Sequence, residues 1–137
     1  MDFEVYMSYV KQLKLKHFIL RDERGWAINP FEVADLLGES AGNLHVVSMK
    51  PGAIRGNHYH PDATEWLLFC EGPAKLVWRS RGDDSIHEYL IEGEEPALFE
   101  IPPGFEHAVK NISDDAIYLM AFYDTHDPAT VGCSPLV

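Results

Sequence analysis

The chain has 137 residues, enough for one domain that buries a core without disulfide staples and too few for two. With 22 acidic against 11 basic residues and a net charge of −11, it lacks the basic face that nucleic acid or an anionic lipid surface requires. No apolar run approaches the roughly 20 residues of a membrane helix, and Met1-Asp2-Phe3-Glu4 carries acid where a secretory leader carries base, so a cytoplasmic address is expected.

Residues 1–17 read two ways. Phe3, Val5, Met7 and Tyr9 alternate like a strand, while Val10, Leu13 and Phe18 fit a helix nearly as well. Lys11, Lys14 and Lys16 suggest a solvated face. After Ile19-Leu20, the run Asp22-Glu23-Arg24-Gly25 signals a turn into Trp26-Ala27-Ile28. Asn29-Pro30 breaks the chain, and 31–37 predicts one short helix ended by Gly38. From Asn43 onward the pattern is β. Strands are expected at 44–49, 64–70, 74–80, 85–91, 97–101, 106–111 and 116–123. Pro51-Gly52, Gly72-Pro73, 81–84, Gly93, Pro102-Pro103-Gly104 and 113–115 separate them. Within 74–80, Leu76 and Trp78 share one face and Lys75, Val77 and Arg79 the other. Many short strands with Gly and Pro between them indicate a sandwich or barrel. Residues from Asp124 onward read as an extended tail.

Cys70 lies in the apolar run Trp66-Leu67-Leu68-Phe69-Cys70 and reads as a small buried hydrophobe; Cys133 lies in the tail. There is no Cys-x-x-Cys pair to suggest a thiolate zinc site or a dithiol redox motif.

The histidines carry more information. His58 and His60 are two residues apart in an extended segment, so their side chains point to one face. Glu65 follows after a Pro61-Asp62 turn, at the start of an apolar strand. His107 comes much later, three residues after Gly104. Three imidazoles and a carboxylate make a mixed nitrogen and oxygen site for one divalent ion such as Fe, Mn, Ni, Co, Cu or Zn. An octahedral ion would keep about two positions for water or substrate. Read alone, histidines on strands also serve as core or surface residues. His45, opening a strand, is expected to pack or to sit at a rim. His87 and His126 have no partner spacing and read as surface residues.

The spacing resembles that of the cupin superfamily. Gly52, five residues, His58, one residue, His60, four residues, Glu65, six residues, Gly72 matches the first cupin signature at each position. Pro102, one residue, Gly104, two residues, His107, three residues, Asn111 is similar to the second. Pro96 stands where the second signature usually opens with glycine, and Gly93 is nearby. The resemblance implies an all-β fold, a double-stranded β-helix or jelly-roll-like barrel. Its expected extent is 44–124, with an N-terminal extension at 1–43 packing on the barrel and a C-terminal tail at 125–137. It carries metal-ligand roles onto His58, His60, Glu65 and His107. It gives Gly52, Gly72 and Gly104 turns where glycine takes positive φ, and Asn111 a turn or supporting role.

Around the ligands, Arg55-Gly56-Asn57-His58-Tyr59-His60-Pro61 and Ile101-Pro102-Pro103-Gly104-Phe105-Glu106-His107 look like the cupins of nucleotide-sugar and capsular-polysaccharide enzymes. That likeness makes Arg55 a candidate binder of a substrate phosphate or carboxylate, since a guanidinium can clamp either bidentately. The alternative for Arg55 is a surface salt bridge. Tyr59 and Trp66 alternate with the ligands and should pack on the opposite side. Leu67 and Phe69 share parity with Glu65 and should wall the metal with apolar surface.

The expectation is a metal-binding small cupin with a small-molecule ligand, possessing isomerase or epimerase chemistry on a nucleotide sugar or related carbonyl compound. Alternatives are an iron-dependent dioxygenase and a non-catalytic module that binds a metal or small ligand. By analogy with single-domain cupins, a homodimer is expected.

Overall fold

The computed structural model describes residues 5–7, 10–37, 42–79 and 84–137. Its strands are β1 (Val5–Met7), β2 (Val10–Leu13), β3 (Ile19–Asp22), β4 (Gly25–Ile28), β5 (Asn43–Met49), β6 (Ile54–Tyr59), β7 (Glu65–Phe69), β8 (Ala74–Arg79), β9 (Ile86–Ile91), β10 (Ala97–Ile101), β11 (His107–Asn111), β12 (Ile117–Tyr123) and β13 (Val131–Gly132). One helix, α1 (Pro30–Leu36), interrupts them. Within the ambiguous N-terminal stretch, Val5–Met7 and Val10–Leu13 are β rather than helical, because β2 finds an antiparallel partner in β10, with Gln12 opposite Phe99. The expected short helix is present but starts at Pro30, where the sequence pattern predicts a break: Asn29 caps α1 by accepting the Phe31 N–H at 2.9 Å, with Pro30 just inside the first turn. Gly38, expected to end it, lies outside the described residues, as does most of the turn expected at 81–84.

Two antiparallel sheets face each other. One runs β1-β2-β10-β7-β12-β5 and the other β13-β6-β11-β8-β9, while β3 and β4 pair as a separate hairpin. From β5 to β12 the chain crosses between the two sheets at almost every connection, which is the winding of a double-stranded β-helix. Distant parts of the sequence therefore end up facing each other across one interior. Both flanks join in: β2 adds a strand to the first sheet and β13 to the second.

The interior is filled by Leu67, Phe69, Leu76, Trp78, Phe99, Ile101 and Val109, with Phe69 and Phe99 edge to face at 5.7 Å. A second core lies on the outer face of the first sheet, where Trp66, Leu68, Leu98 and Phe122 meet Leu15 and Val33 from the N-terminal segment. β7 is thus buried on both faces, which explains its unbroken apolar run. Trp66 takes the packing role expected of it, and its Nε1 donates to Glu100 Oε1 at 2.9 Å. Lys11 is not simply solvated, since its Nζ lies 3.2 Å from Glu100 Oε2.

Gly52 and Gly104 have the positive φ expected, +79° and +82°. Gly72 does not. It is glycine because its α-carbon backs onto another chain segment, where a Cβ would stand 2.5 Å from Ile91 O. Gly93 faces it, with φ +89° and a Cβ position that would overlap Gly72 N. This mutual approach locks the β7–β8 connection against the end of β9. Gly52→Ala meets open space and costs only the left-handed backbone, about 1–2 kcal/mol. Gly93→Ala adds a backbone overlap to the same strain and should cost clearly more in urea unfolding.

A buried cluster of three imidazoles and a carboxylate

Strand register brings the cluster together. His107 opens β11 directly opposite His58 on β6, which sets their rings side by side at 4.9 Å. Glu65 opens β7 directly opposite Tyr123, the last residue of β12. His60 sits just past β6, its carbonyl accepting the Gly104 N–H at 2.8 Å, so the turn of the second signature clasps the first. One nitrogen from each of His58, His60 and His107 and one Glu65 oxygen lie within 4.8 Å of one another. His60, Glu65 and His107 are buried and His58 is half-buried. The four side chains singled out in the sequence therefore converge.

A bulge in β6 places a fifth. His107 pairs with His58, but Ala108 pairs with Gly56, so Asn57 is an extra residue, with φ +55°. In a regular strand Arg55 and His58, three apart, would point to opposite faces. The inserted residue cancels that alternation. Arg55 pairs with Val109 and His58 with His107, and both partners are interior residues, so Arg55 and His58 face the same cavity. Its Nε donates to Ser48 O at 3.0 Å, and among the described residues it forms no ion pair.

Hydrogen bonds around the cluster fix which atoms face inward. His107 Nδ1 lies 2.9 Å from Phe105 O and His60 Nδ1 lies 3.0 Å from Ala129 O. A carbonyl only accepts, so each Nδ1 carries a proton and each ring turns its Nε2 inward. Tyr123 donates its hydroxyl to Glu65 Oε2 at 2.7 Å, leaving Oε1 to face the same point. His107 Nε2 is 2.7 Å and His60 Nε2 is 3.3 Å from that Oε1. Nitrogen and oxygen lone pairs aimed at one another in a buried site repel unless something positive lies among them. Protons on the rings would satisfy them, and so would one divalent cation. His60 Nε2 and Glu65 Oε1 have no other hydrogen-bond partner. The donor set and its orientation fit a first-row ion.

The titration behaviour follows. Burial, then the neighbouring His107 and His60 rings, push His58 down to about 4 against the pull of Glu65. Burial works to raise the Glu65 carboxyl, but the His107 and His60 rings and the Tyr123 hydroxyl outweigh it and hold it well below the usual range. Burial works to lower His60, and Glu65 and the Ala129 carbonyl overcome it, leaving the ring raised. Burial and Glu65 both push the Tyr123 phenol up, so it remains a donor.

A cavity of about 420 Å³ opens on the cluster. Val47, Met49, Leu67, Leu119 and Ala121 make apolar walls, and Arg55, His45 and Tyr123 add polar groups. His45 is exposed on this wall, edge-on to the Tyr123 ring at 5.8 Å, consistent with a rim position. Tyr123 escaped sequence reasoning because only the β12–β7 register reveals its partner. Asn111 is the turn residue expected: fully buried, it donates to Met49 O and Asp115 O and accepts from Ser113. His126 is exposed as expected, but His87 is half-buried and stacks on Trp78 at 5.5 Å. The tail is also more than an extension: β13 pairs with β6, and Ala129 contacts His60.

This fold and its inward-facing histidine and glutamate cluster define a cupin. Residues 21–131 match the family described as the polysaccharide biosynthesis C-terminal domain, and the chain belongs to that family. It is 26% identical over 138 aligned residues to the UDP-2-acetamido-2,6-beta-L-arabino-hexul-4-ose reductase of Pseudomonas aeruginosa, covering 96% of this chain and 36% of that protein. The chain thus spans about a third of that relative's length. The capsular polysaccharide assembling protein CapF of Staphylococcus aureus superposes with a TM-score of 0.63 at 25% identity, over 85% of this chain and 34% of that one. A dTDP-4-dehydrorhamnose 3,5-epimerase from Bacillus anthracis, with TDP and PPi bound, superposes with a TM-score of 0.72 at 19% identity, over 93% and 81%. The last likeness is one of fold.

In metal-free protein, unfolded His58 takes up a proton near 6.5 while the folded ring resists until about 4. The unfolded chain then binds more protons, so this group's contribution to stability falls as pH drops through that window. His58→Gln should flatten that part of the stability profile, read by urea melts in chelator between roughly pH 7 and pH 4.

Proposed function

We propose that this chain is a divalent-metal cupin that isomerises or epimerises a nucleotide-linked keto sugar or a related carbonyl compound. The observation that carries the reading is the convergence of His58, His60, Glu65 and His107, of which His58, Glu65 and His107 line an open cavity with Arg55 on its wall. The names of the Pseudomonas relative and of the Staphylococcus structure support the sugar class.

His58, His60, Glu65 and His107 would hold the ion, with Tyr123 fixing the rotamer of Glu65. A divalent ion there supplies Lewis acidity to a carbonyl oxygen and so acidifies the adjacent carbon. Arg55 binds the anionic end of the ligand, with its Nε held on Ser48 O and its Nη atoms available for a phosphate. The apolar walls exclude water from the reacting end. His45, an imidazole outside the ligand set, takes the carbon-bound proton and returns it. Removing a proton and replacing it on either face needs no redox partner. The same reading makes the chain a homodimer. Leu44, Val46 and Tyr118 leave an exposed apolar strip on the edge strand β5 and its neighbour β12 that a second copy would cover, and a monomeric sedimentation profile would remove this part.

Protein purified without added metal should carry about one first-row ion per chain, and His107→Ala should lose it by elemental analysis. A UDP-sugar should raise the melting temperature of the loaded protein, and Arg55→Met should weaken that binding by about tenfold or more. Full metal content in His107→Ala, or unchanged sugar binding in Arg55→Met, would contradict the assignments. Metal binding with no response to any nucleotide sugar would leave a binding module in place of the enzyme.

A further inference from the structure

We propose that the C-terminal segment around β13 is a strap that positions His60 for the ion, so that strap docking and metal binding are coupled. This rests on the metal reading of the cluster. The two buried inward-facing imidazoles are supported differently. His107 Nδ1 is held by Phe105 O, two residues away on the same turn. His60 Nδ1 is held from far along the chain, by Ala129 O at 3.0 Å, with Thr130 Oγ1 at 3.2 Å. His60 also lies beyond the last residue of β6, where its carbonyl accepts the Gly104 N–H. Ring orientation and tautomer at His60 therefore depend on residues 129–130.

The strap's anchors fall on the segment that carries the ligands. Val131 pairs with Tyr59 and Gly132 with His58. The Cys133 N–H donates to Asn57 O at 2.9 Å, and the Leu136 N–H to Asn57 Oδ1 at 2.8 Å. Asn57 is the bulge residue at φ +55°, so the strap grips the irregularity that turns Arg55 and His58 inward. The grip is light. β13 is two residues long, and residues 129–132 are exposed. A short edge pairing with little apolar burial opens at low free-energy cost. An ion that needs His60 Nε2 turned inward favours the docked strap, and linkage makes the effect mutual.

Coupling separates this role from ordinary stabilisation. Co2+ is titrated into four proteins: the unaltered chain, a chain lacking residues 128–137, His60→Ala, and the combination. The deletion should weaken Co2+ binding by about 10–100-fold and shift the visible Co2+ spectrum as a ligand is lost. In the His60→Ala background the same deletion should cost a clearly smaller factor, what remains being the lost grip on Asn57 beside His58. Equal losses in both backgrounds, or no loss in either, would overturn the strap's role while leaving the metal reading intact. An unaltered chain that binds no Co2+ would overturn both. Should the deletion prevent folding, hydrogen exchange on the unaltered chain decides. Co2+ should slow exchange at the Cys133 and Leu136 amides, and unchanged exchange would refute the coupling.

Discussion

The structure turns on the electrostatics of one buried carboxylate oxygen. Glu65 Oε1 sits within 2.7 Å of one imidazole nitrogen and 3.3 Å of another, inside an apolar barrel. Tyr123 occupies the other oxygen, and backbone carbonyls occupy the outer nitrogens of His60 and His107. Each of these outer contacts removes an alternative way for the cluster to satisfy itself. What remains is a set of inward lone pairs that only positive charge can reconcile. A hydrophobic core of this size would be better served by packed aliphatics, because a buried ionisable group is costly without a compensating partner. Its presence argues for use rather than for stability.

The fold supplies that arrangement through winding. Successive strands alternate between sheets, so β6, β7 and β11 place His58, Glu65 and His107 at one end of a common interior. The bulge at Asn57 then does what a regular strand cannot, setting Arg55 beside His58 on the cavity side. The second core, beneath the N-terminal segment and α1, covers the outer face of the sheet that carries Glu65 and Tyr123. β7 is packed from both sides, and Glu65, its first residue, is held in place by that packing.

Much of this was legible in the sequence, for identifiable reasons. Gly and Pro punctuation marks the strand ends, the His58-x-His60 spacing puts two imidazoles on one face, and the resemblance to two cupin signatures joins Glu65 and the distant His107 to them. The N-terminal stretch was ambiguous because its alternation and its helical spacing compete, and only the β10 edge decides for strand. Gly72 was assigned a turn conformation when its role is close approach to β9, which depends on a tertiary neighbour. Tyr123, the facing of Arg55 and the docking of the tail follow from register between distant strands. No window of sequence contains that information. Outside the two signatures, residues whose partners lie on their own strand or turn are readable, and those whose partners lie across a sheet are not.

X-ray absorption at the metal edge of the loaded protein tests the central claim most directly. The account predicts a coordination sphere containing three imidazole nitrogens and a carboxylate oxygen, at first-row metal distances of about 2.0–2.2 Å. A sphere with fewer than three imidazoles, or one built from sulfur, would contradict it.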